Sequence, residues 1–400
     1  MSLSLPTARS VPQRLLGAVL AACALLALDV VQRAPLPPAP SAVVSVASAV
    51  HNTSDLVEKD RGTIPMPDGM AAAHASNLLV MPSNHAAALT AFWFAGDRES
   101  AANVQIAASQ FDRATQQWTA ARLVVDRFAM GQQLGFGLRR LGNPVAWMDG
   151  SGRMHLFVVA TGWGGWAASR VLHLRQSSAG SRLAELAFEP LRVLPLSWLW
   201  NTSYLVRNAP LALEDGGMVL PVYFELGIKY PVALRFDRDG AFQGLTRMSR
   251  RTHLLQPAVV AQSPQRWLAL MRDTRPNGKI GVAQTSDGGK HWSDLPDLAL
   301  DNPDAAVAAT AAGSGSLLLV HNPSMNSRSA LDLSRSTDGL HWERVKALEQ
   351  GTPPAEFSYP AMAWADGSLW VSYTAGRKRI AWQRFESVAS TEPAPAGVKP

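Results

Sequence analysis

The amino-acid sequence predicts an all-β protein, a six-bladed β-propeller that follows an N-terminal hydrophobic signal or anchor segment. Two observations carry this prediction: one strand pattern returns six times, and a short Asp-Gly motif occurs twice at hairpin positions. The 400 residues include 30 Gly and 27 Pro, which suit many short strands joined by turns better than long helices. With 47% hydrophobic residues, the chain is also long enough to bury a large core.

Each repeated unit consists of a polar residue, an apolar strand, a turn and two further apolar strands. The units are roughly 50–70 residues apart and start at His74, Asn143, Asn208, Gln256, Asp304 and Tyr359. Four antiparallel strands at such a period are typical of a propeller blade, and six blades close into a ring without exposed sheet edges. Two stacked β-sandwiches are the alternative. Because the sixth unit lacks a return strand, residues around 51–66 are predicted to complete its outer edge.

The Asp-Gly motif reads TSDGGKHW at residues 285–292 and STDGLHW at residues 336–342. In a tight turn, an Asp carboxylate accepts hydrogen bonds from backbone N–H groups, and Gly adopts the positive φ that the turn requires. A calcium loop would need more oxygen ligands at alternating positions. The motif therefore predicts two structural hairpin turns, formed by Asp287, Gly289, Trp292, Asp338, Gly339 and Trp342.

The first 33 residues are predicted to be an export segment. Arg9 and Arg14 precede an apolar run at residues 15–31, and a Pro- and Ala-rich spacer follows at residues 34–50. This pattern favours a folded part that is exported, either secreted or held at the inner membrane in a bacterial periplasm.

The only cysteine, Cys23, lies in an LAAC sequence similar to a lipoprotein box, so a cleaved signal, an uncleaved anchor and a lipoprotein all stay open. A lone cysteine excludes an intramolecular disulfide and a cysteine-based metal site, and no cofactor or metal is expected. The propeller is predicted at residues 51–386, followed by a disordered tail at residues 387–400.

The charge pattern argues against a nucleic-acid partner. The net charge is +6, and the one dense basic run, RMSRR at residues 247–251, is short and has no neighbouring aromatic residues. The 13 Trp residues suit either repeat packing or a surface that stacks on sugar rings.

Six blades with Asp-Gly turns resemble the sialidase (neuraminidase) superfamily over about residues 70–386, and most closely its sialidase-like branch of BNR (Asp-box) repeats. The resemblance implies a site at the ring centre, where each blade's first strand begins. It matches Tyr359, in EFSYPAMAWADG, to the family's nucleophile. It matches Arg272 and Arg328, each ahead of an Asp box, to two of three arginines that clamp a substrate carboxylate.

Two positions depart from the family pattern. His74 stands where the resemblance implies the first arginine, and Gln256, sixteen residues before Arg272, stands where it implies the Glu that activates the tyrosine. Because Gln cannot take a proton, Gln256 is expected to orient the phenol by hydrogen bonding. Both departures put sialic acid in doubt as the substrate.

The loop FAGDRESAAN corresponds to the family's acid/base loop and offers Asp97, Arg98 and Glu99. Glu99 is the preferred acid/base because of the branch's Gly-x-x-Glu pattern, and Arg98 is a replacement for the missing clamp arm. A solvated loop of charges is the alternative. Further polar residues and tryptophans predicted around the pocket are Asn143, Arg207, Asn208, His253, Asn322, Trp163, Trp166, Trp198 and Trp200.

Three functions follow from this pattern. The first is an exo-glycosidase that removes a terminal, anionic sugar (a sialic or uronic acid) from a glycan, with Tyr359 as the nucleophile. The second is a non-catalytic glycan-binding propeller of the cell envelope, and the third is a polysaccharide lyase in which Tyr359 abstracts a proton. The anionic sugar is expected because burying Arg272 and Arg328 without a partner is unfavourable.

Overall fold

The computed structural model describes residues 11–32, 36–38, 43–46, 56–99, 101–276 and 278–387. These residues divide into two compact units, one with the N-terminal helix and the segment 195–201, the other with all the strands. The predicted tail lies outside the described residues except for Ser387, and most of the predicted spacer also lies outside them.

The N-terminal helix, α1 (Val11–Gln32), fits the predicted signal or anchor segment. Its apolar side chains are largely exposed, and the stretch Val11–Val31 is long and apolar enough to cross a membrane. Cys23 is exposed near the middle of α1.

The strands form six antiparallel sheets, which confirms the predicted six-bladed propeller. The first strand, β1 (Leu56–Thr63), belongs to the last blade. Blade one contains β2 (Ala72–Val80), β3 (Ala87–Gly96), β4 (Gln105–Asp112), β5 (Gln117–Trp118) and β6 (Arg122–Val125). Blade two contains β7 (Arg140–Met148), β8 (Met154–Thr161), β9 (Arg170–Gln176) and β10 (Phe188–Val193). Blade three contains β11 (Tyr204–Val206), β12 (Leu211–Ala212), β13 (Met218–Leu226), β14 (Ile228–Phe236) and β15 (Phe242–Arg247).

The remaining blades repeat the same order. Blade four contains β16 (Leu254–Ala261), β17 (Trp267–Asp273), β18 (Ile280–Thr285) and β19 (Ser293–Leu295). Blade five contains β20 (Ala308–Ala311), β21 (Leu317–His321), β22 (Ala330–Ser336) and β23 (Glu343–Gln350). Blade six contains β24 (Phe357–Ala365), β25 (Ser368–Ala375) and β26 (Arg379–Ser387), with β1 as its outer strand.

Strand β1 closes the ring. It pairs antiparallel with β26, from Leu56 opposite Ser387 to Thr63 opposite Ala381. Residues close to the amino end of the propeller therefore hold β26, the last strand among the described residues, in place. The sequence predicts this outer strand within residues 51–66.

The inner and middle strands are buried because each blade lies between two others. Every residue of β3 and of β25 is buried, and Phe92 of blade one packs with Leu156 and Val158 of blade two in a single core cluster. Strands covered on both faces read as continuous apolar runs rather than as alternating patterns. This explains why the sequence shows apolar strands without a clear polar face.

A short helix, α2 (Arg127–Leu134), is an addition to the predicted all-β architecture. The Asp126 side chain caps it by accepting hydrogen bonds from the N–H groups of Phe128 (2.7 Å) and Ala129 (3.2 Å). Gly135 ends the helix in the left-handed conformation, with φ of 73°.

The central channel has different chemistry at its two ends. The carboxyl ends of the inner strands line an apolar cavity of about 530 Å³ that includes residues of all six blades. Residues 43–46 lie beside this end: Val46 N–H donates to the Pro264 carbonyl, and the Ser45 carbonyl accepts from Glu214 N–H. The polar residues described below lie at the opposite end, where the inner strands begin.

Both Asp-Gly motifs are hairpin turns, between β18 and β19 and between β22 and β23. Asp338 Oδ1 accepts from the N–H groups of Leu340 and His341, both at 2.8 Å. Trp342 Nε1 donates to the Gly339 carbonyl at 3.1 Å. Gly339 has φ of 78°, and an added Cβ would lie 2.1 Å from Leu268, so only glycine fits there.

Replacing either motif aspartate by alanine is expected to lower the free energy of unfolding by about 1 kcal/mol. The side-chain hydrogen bond from His341 and the backbone N–H groups hold the pKa of Asp338 well below its usual range. Because the folded-state pKa is lowered, the stabilisation is present above the ordinary Asp pKa of about 4 and is lost as the pH falls below it. Urea unfolding of Asp338→Ala and the parent chain should differ at neutral pH and converge in acid.

Candidate functional site

The inner strands of four blades carry a β-bulge near their first residues, marked by shifts in strand register. One residue of each bulge has a positive φ, as does the residue at the corresponding point ahead of β20. We call these five the bulge residues: Ala75 (φ 56°), Asn143 (43°), Gln256 (51°), Asp304 (52°) and Tyr359 (53°). A non-glycine residue held in this region costs on the order of 1–3 kcal/mol and occurs most often at functional sites.

The bulges explain why a proline recurs at the blade starts, and they correct the predicted start of blade one. Pro144, Pro257 and Pro360 each follow a bulge residue, and a bulge is one of the few places in a sheet that tolerates proline. In blade one the repeating position is Ala75, not the predicted His74, which precedes the bulge by one residue.

Tyr359 is half-buried at the ring centre. Its hydroxyl receives a hydrogen bond from Gln256 Nε2 at 3.4 Å. The His74 ring packs against the Tyr359 ring with centroids 4.2 Å apart, and the Arg207 guanidinium lies 5.1 Å from the same ring. Three side chains thus hold the phenol in one orientation.

Gln256 links the tyrosine to the arginines. Its amide nitrogen also donates to the hydroxyl of Tyr223 at 3.3 Å, while its Oε1 accepts from Arg272 Nη1 at 3.3 Å. The Asn208 side chain donates to the Gln256 carbonyl at 2.9 Å. These contacts fix which amide atom faces Tyr359, so that Gln256 donates to the phenol oxygen.

Asp304 joins the two predicted clamp arginines. Arg272 Nε donates to Asp304 Oδ1, and Arg328 Nη2 donates to the Asp304 carbonyl, both at 2.5 Å. Burial alone would lower the pKa of Arg272, but the hydrogen bond to Asp304, together with electrostatic interactions with Asp304 and nearby tyrosines, raises it above its ordinary value. The structure therefore brings Tyr359, Arg272 and Arg328 together at the ring centre.

A third arginine, Arg377, completes this group from the turn between β25 and β26. It donates to both carboxylate oxygens of Glu356, at 2.8 and 3.0 Å, and its Nη1 donates to Glu99. Glu356 also contacts Arg328 Nη1 at 3.4 Å. Burial raises the pKa of Glu356, but the hydrogen bonds and charge of Arg377, together with the charge of Arg328 and a hydrogen bond from Ser358, leave that pKa below its ordinary value.

The BNR repeat-like domain matches this sequence over residues 87–371, more than half of the chain. The chain belongs to the BNR repeat-like family. The resemblance to the sialidase-like superfamily is thereby confirmed.

Several solved structures share the fold of this BNR repeat-like chain. They include the Hadza microbial sialidase Hz136 (TM-score 0.63, 16% identity, covering 78% of this chain and 65% of that one). The Trypanosoma rangeli sialidase gives a TM-score of 0.61 at 14% identity, with coverages of 82% and 58%. A Dyadobacter fermentans protein of unknown function gives 0.64 at 12%, with coverages of 84% and 100%. This chain spans less than two thirds of the length of the two sialidases, and no curated protein matches its sequence.

His74 of the BNR repeat-like chain cannot replace an arginine as a cation. Its side chain is 3% exposed, and burial, reinforced by the charges of Arg377 and Arg207, holds the pKa of His74 well below its usual value. Its Nε2 lies 4.0 Å from Glu99 Oε1. The ring is therefore neutral at neutral pH and contributes packing against Tyr359.

Two other predicted binding residues need correction. Arg98 is exposed, and it is Arg377 that contacts Glu99 and Glu356. Arg207 is only 1% exposed and donates to the carbonyls of Ser76 (3.2 Å) and Pro360 (2.8 Å). Burial lowers the pKa of Arg207 to about 10. Arg207 therefore supports Tyr359 from within the protein and is not accessible to a ligand.

Several remaining polar residues bind the backbone or lie elsewhere. Asn143 is a bulge residue and is 7% exposed. Asn322 donates to the carbonyls of Ala330 (2.7 Å) and Phe357 (2.8 Å), which ties blade five to blade six. His253 lies 4.0 Å from the buried carboxylate of Asp273 and is partly exposed.

Glu225 is a carboxyl group near the site that the sequence did not single out. It lies two residues beyond Tyr223 on β13, so both side chains are on the same face of that strand. Burial raises the pKa of Glu225, although the charges of Arg272 and Lys229 act in the opposite direction. The one sign of this position in the sequence is the YFE run at residues 223–225, where Tyr and Glu are two residues apart and so share a face of a strand.

The four tryptophans predicted near the pocket differ in exposure. Trp163, between β8 and β9, is 85% exposed with the Arg139 guanidinium 4.7 Å from its ring. Trp166 lies against Gly142, where an added Cβ would come within 2.9 Å of the ring. Trp198 and Trp200 are exposed and belong to the segment 195–201, which is part of the other unit.

The arginines around Tyr359 are not free of partners, contrary to the expectation from the sequence. Arg272, Arg328 and Arg377 are each paired with a carboxylate of the chain, from Asp304, Glu356 or Glu99. The guanidinium groups therefore have partners within the chain, and the expectation that they lack partners and so require an anionic ligand is wrong. Among the described residues, no group of three or more His, Cys, Asp and Glu side chains is arranged to hold a metal ion.

Proposed function

We propose that this chain acts on glycans: its central pocket binds a terminal sugar and hydrolyses the glycosidic bond, with Tyr359 as the nucleophile. The observation that carries the proposal is a half-buried tyrosine held at the ring centre by Gln256, His74 and Arg207. The adjoining guanidinium and carboxylate groups can bind the hydroxyls of a sugar through charge-assisted hydrogen bonds.

In this mechanism the Tyr359 oxygen bonds to the anomeric carbon as the glycosidic C–O bond breaks, and the phenol proton passes to solvent water. Water then hydrolyses the covalent glycosyl-enzyme and regenerates the phenol. Gln256 donates to the phenol oxygen and so directs its remaining lone pair and proton away from the amide. A carboxylic acid must protonate the leaving oxygen. Glu99 stays the predicted acid/base, and Glu225, whose pKa burial raises, is a second candidate.

A non-catalytic glycan-binding protein is the second candidate function, and one observation favours it. Within the described part of the chain, the hydroxyl of Tyr359 has the amide of Gln256 as its hydrogen-bond partner rather than a carboxylate. A phenol without an adjacent base is a weak nucleophile at neutral pH. Retention of the pocket without turnover would suit a receptor of the cell envelope.

The N-terminal helix supports a membrane-linked, exported protein as part of the same proposal. The apolar stretch Val11–Val31 has the length and composition of a membrane span. We propose that α1 either directs export or anchors the chain.

A screen of the full chain against fluorogenic glycosides, a glycan array and acidic polysaccharides tests these functions. Hydrolysis of one glycoside class is the expected result. Binding on the array without any turnover would favour the receptor function, and release of unsaturated sugars would indicate a lyase. Neither binding nor turnover on any glycan would contradict the proposal as a whole.

A further inference from the structure

Asp304 already fills a hydrogen-bonding position of Arg272 with its own carboxylate. It is the bulge residue of blade five, the counterpart of Gln256 and Tyr359, so it projects from the same part of its blade. Its carboxylate accepts from Arg272 Nε at 2.5 Å, and Gln256 Oε1 accepts from Arg272 Nη1. The Arg272 side chain is 15% exposed, so little of its guanidinium is open to a ligand.

Glu356 and Glu99 fill hydrogen-bonding positions of Arg328 and Arg377 in the same way. Arg377 holds Glu356 through two hydrogen bonds, 2.8 and 3.0 Å long, in the bidentate geometry that a free carboxylate ligand would otherwise adopt. Arg328 divides its donors between the Asp304 carbonyl and Glu356. The chain thus supplies its own carboxylates at all three guanidinium groups.

The guanidinium groups near Tyr359 are accompanied by acidic groups of the chain itself. Four guanidinium groups, from Arg207, Arg272, Arg328 and Arg377, stand against four acidic groups, from Glu99, Glu225, Asp304 and Glu356. A ligand carboxylate would either lie beside Asp304, with like-charge repulsion, or displace it and leave a partly buried charge without a partner. Either arrangement is unfavourable for an acidic sugar.

We propose that Asp304 is a specificity-determining residue that makes the pocket select a sugar without a carboxylate, such as a neutral hexose or N-acetylhexosamine. This inference rests on the proposed glycan function. The hydroxyls of a neutral sugar donate to the carboxylate oxygens and accept from the guanidinium N–H groups, leaving the existing ion pairs intact. The Asp304 side chain is 43% exposed, so a ligand can reach it.

The test compares the full chain with Asp304→Asn on glycan pairs that differ only in the carboxylate: hexose against hexuronate, and N-acetylneuraminic acid against its methyl ester. Asparagine has the same shape and also tolerates a positive φ, so the variant should fold. Asp215→Asn is the matched control, because it removes the same charge from a turn at the opposite end of the inner strand of blade three.

The parent chain and Asp215→Asn should bind the neutral member of a pair at least as well as the acidic one. Asp304→Asn should shift the ratio of affinities towards the acidic member by about tenfold or more. A parent chain that binds the acidic member tenfold tighter, or an Asp304→Asn ratio equal to that of the parent, would overturn this inference while leaving the glycan function standing. Failure of the parent chain to bind any glycan would overturn both.

Discussion

Tyr359→Phe is expected to abolish glycoside hydrolysis, with a loss on the order of 10⁴-fold or more in kcat/KM, as for other catalytic nucleophiles. The substitution removes one oxygen and keeps the ring that packs on His74 and lies beside Arg207. The folded state should therefore lose only about 1 kcal/mol, the typical value of one hydrogen bond. The measurement is steady-state turnover of whichever glycoside the parent chain cleaves, together with thermal unfolding.

Tyr223→Phe is the matched control for this variant. Its hydroxyl also receives a hydrogen bond from Gln256, at 3.3 Å, but its side chain is 1% exposed and cannot reach a sugar. Its effect on kcat/KM should be smaller than that of Tyr359→Phe by at least a factor of about 100. Equal losses in the two variants would mean that the hydrogen-bond network, and not a nucleophilic oxygen at position 359, governs the rate.

Deletion of residues 1–63 should destroy the cooperative unfolding of the propeller. It removes β1, whose seven residue pairs with β26 close the ring. At about 1 kcal/mol for each hydrogen bond lost, the decrease is comparable with the whole stability of a typical domain. The exposed edge of β26 would also offer unpaired N–H and C=O groups to other chains.

Deletion of residues 1–36 is the appropriate control, because it removes α1 but keeps β1 and the residues 43–46 that lie beside blades three and four. This shorter chain should keep the Tm of the intact propeller, measured by circular dichroism and calorimetry. If both deletions had the same Tm, closure by β1 would contribute little, and the ring would be held by packing between blades alone.

The fold was largely predictable because its signals are local and repeated. Turn residues and apolar runs recur in every blade, and the missing return strand of blade six pointed to the segment that became Leu56–Thr63. The helix Arg127–Leu134 was missed, since its eight residues carry a weak apolar pattern and its Asp126 cap resembles an ordinary loop residue.

The candidate site was predictable only in part, because its contacts join distant parts of the chain. The resemblance led to Tyr359, Arg272 and Arg328, but the pairing of Arg377 with Glu99 spans 278 positions and leaves no local trace. Asp304 was recognised as a blade start, yet nothing in its neighbourhood indicates that it contacts Arg272. Arg207 reads as a polar strand start, and only packing reveals that it is buried.

The bulge residues suggest how such a ring diversifies during evolution. Ala75, Asn143, Gln256, Asp304 and Tyr359 are five different amino acids in one backbone conformation, which the surrounding strand pairing imposes. Asp304 and Tyr359 are partly exposed, so a substitution at either changes the chemistry at the centre while the strand pairing of the blades stays in place. The same architecture is accordingly found in proteins only 16% identical or less.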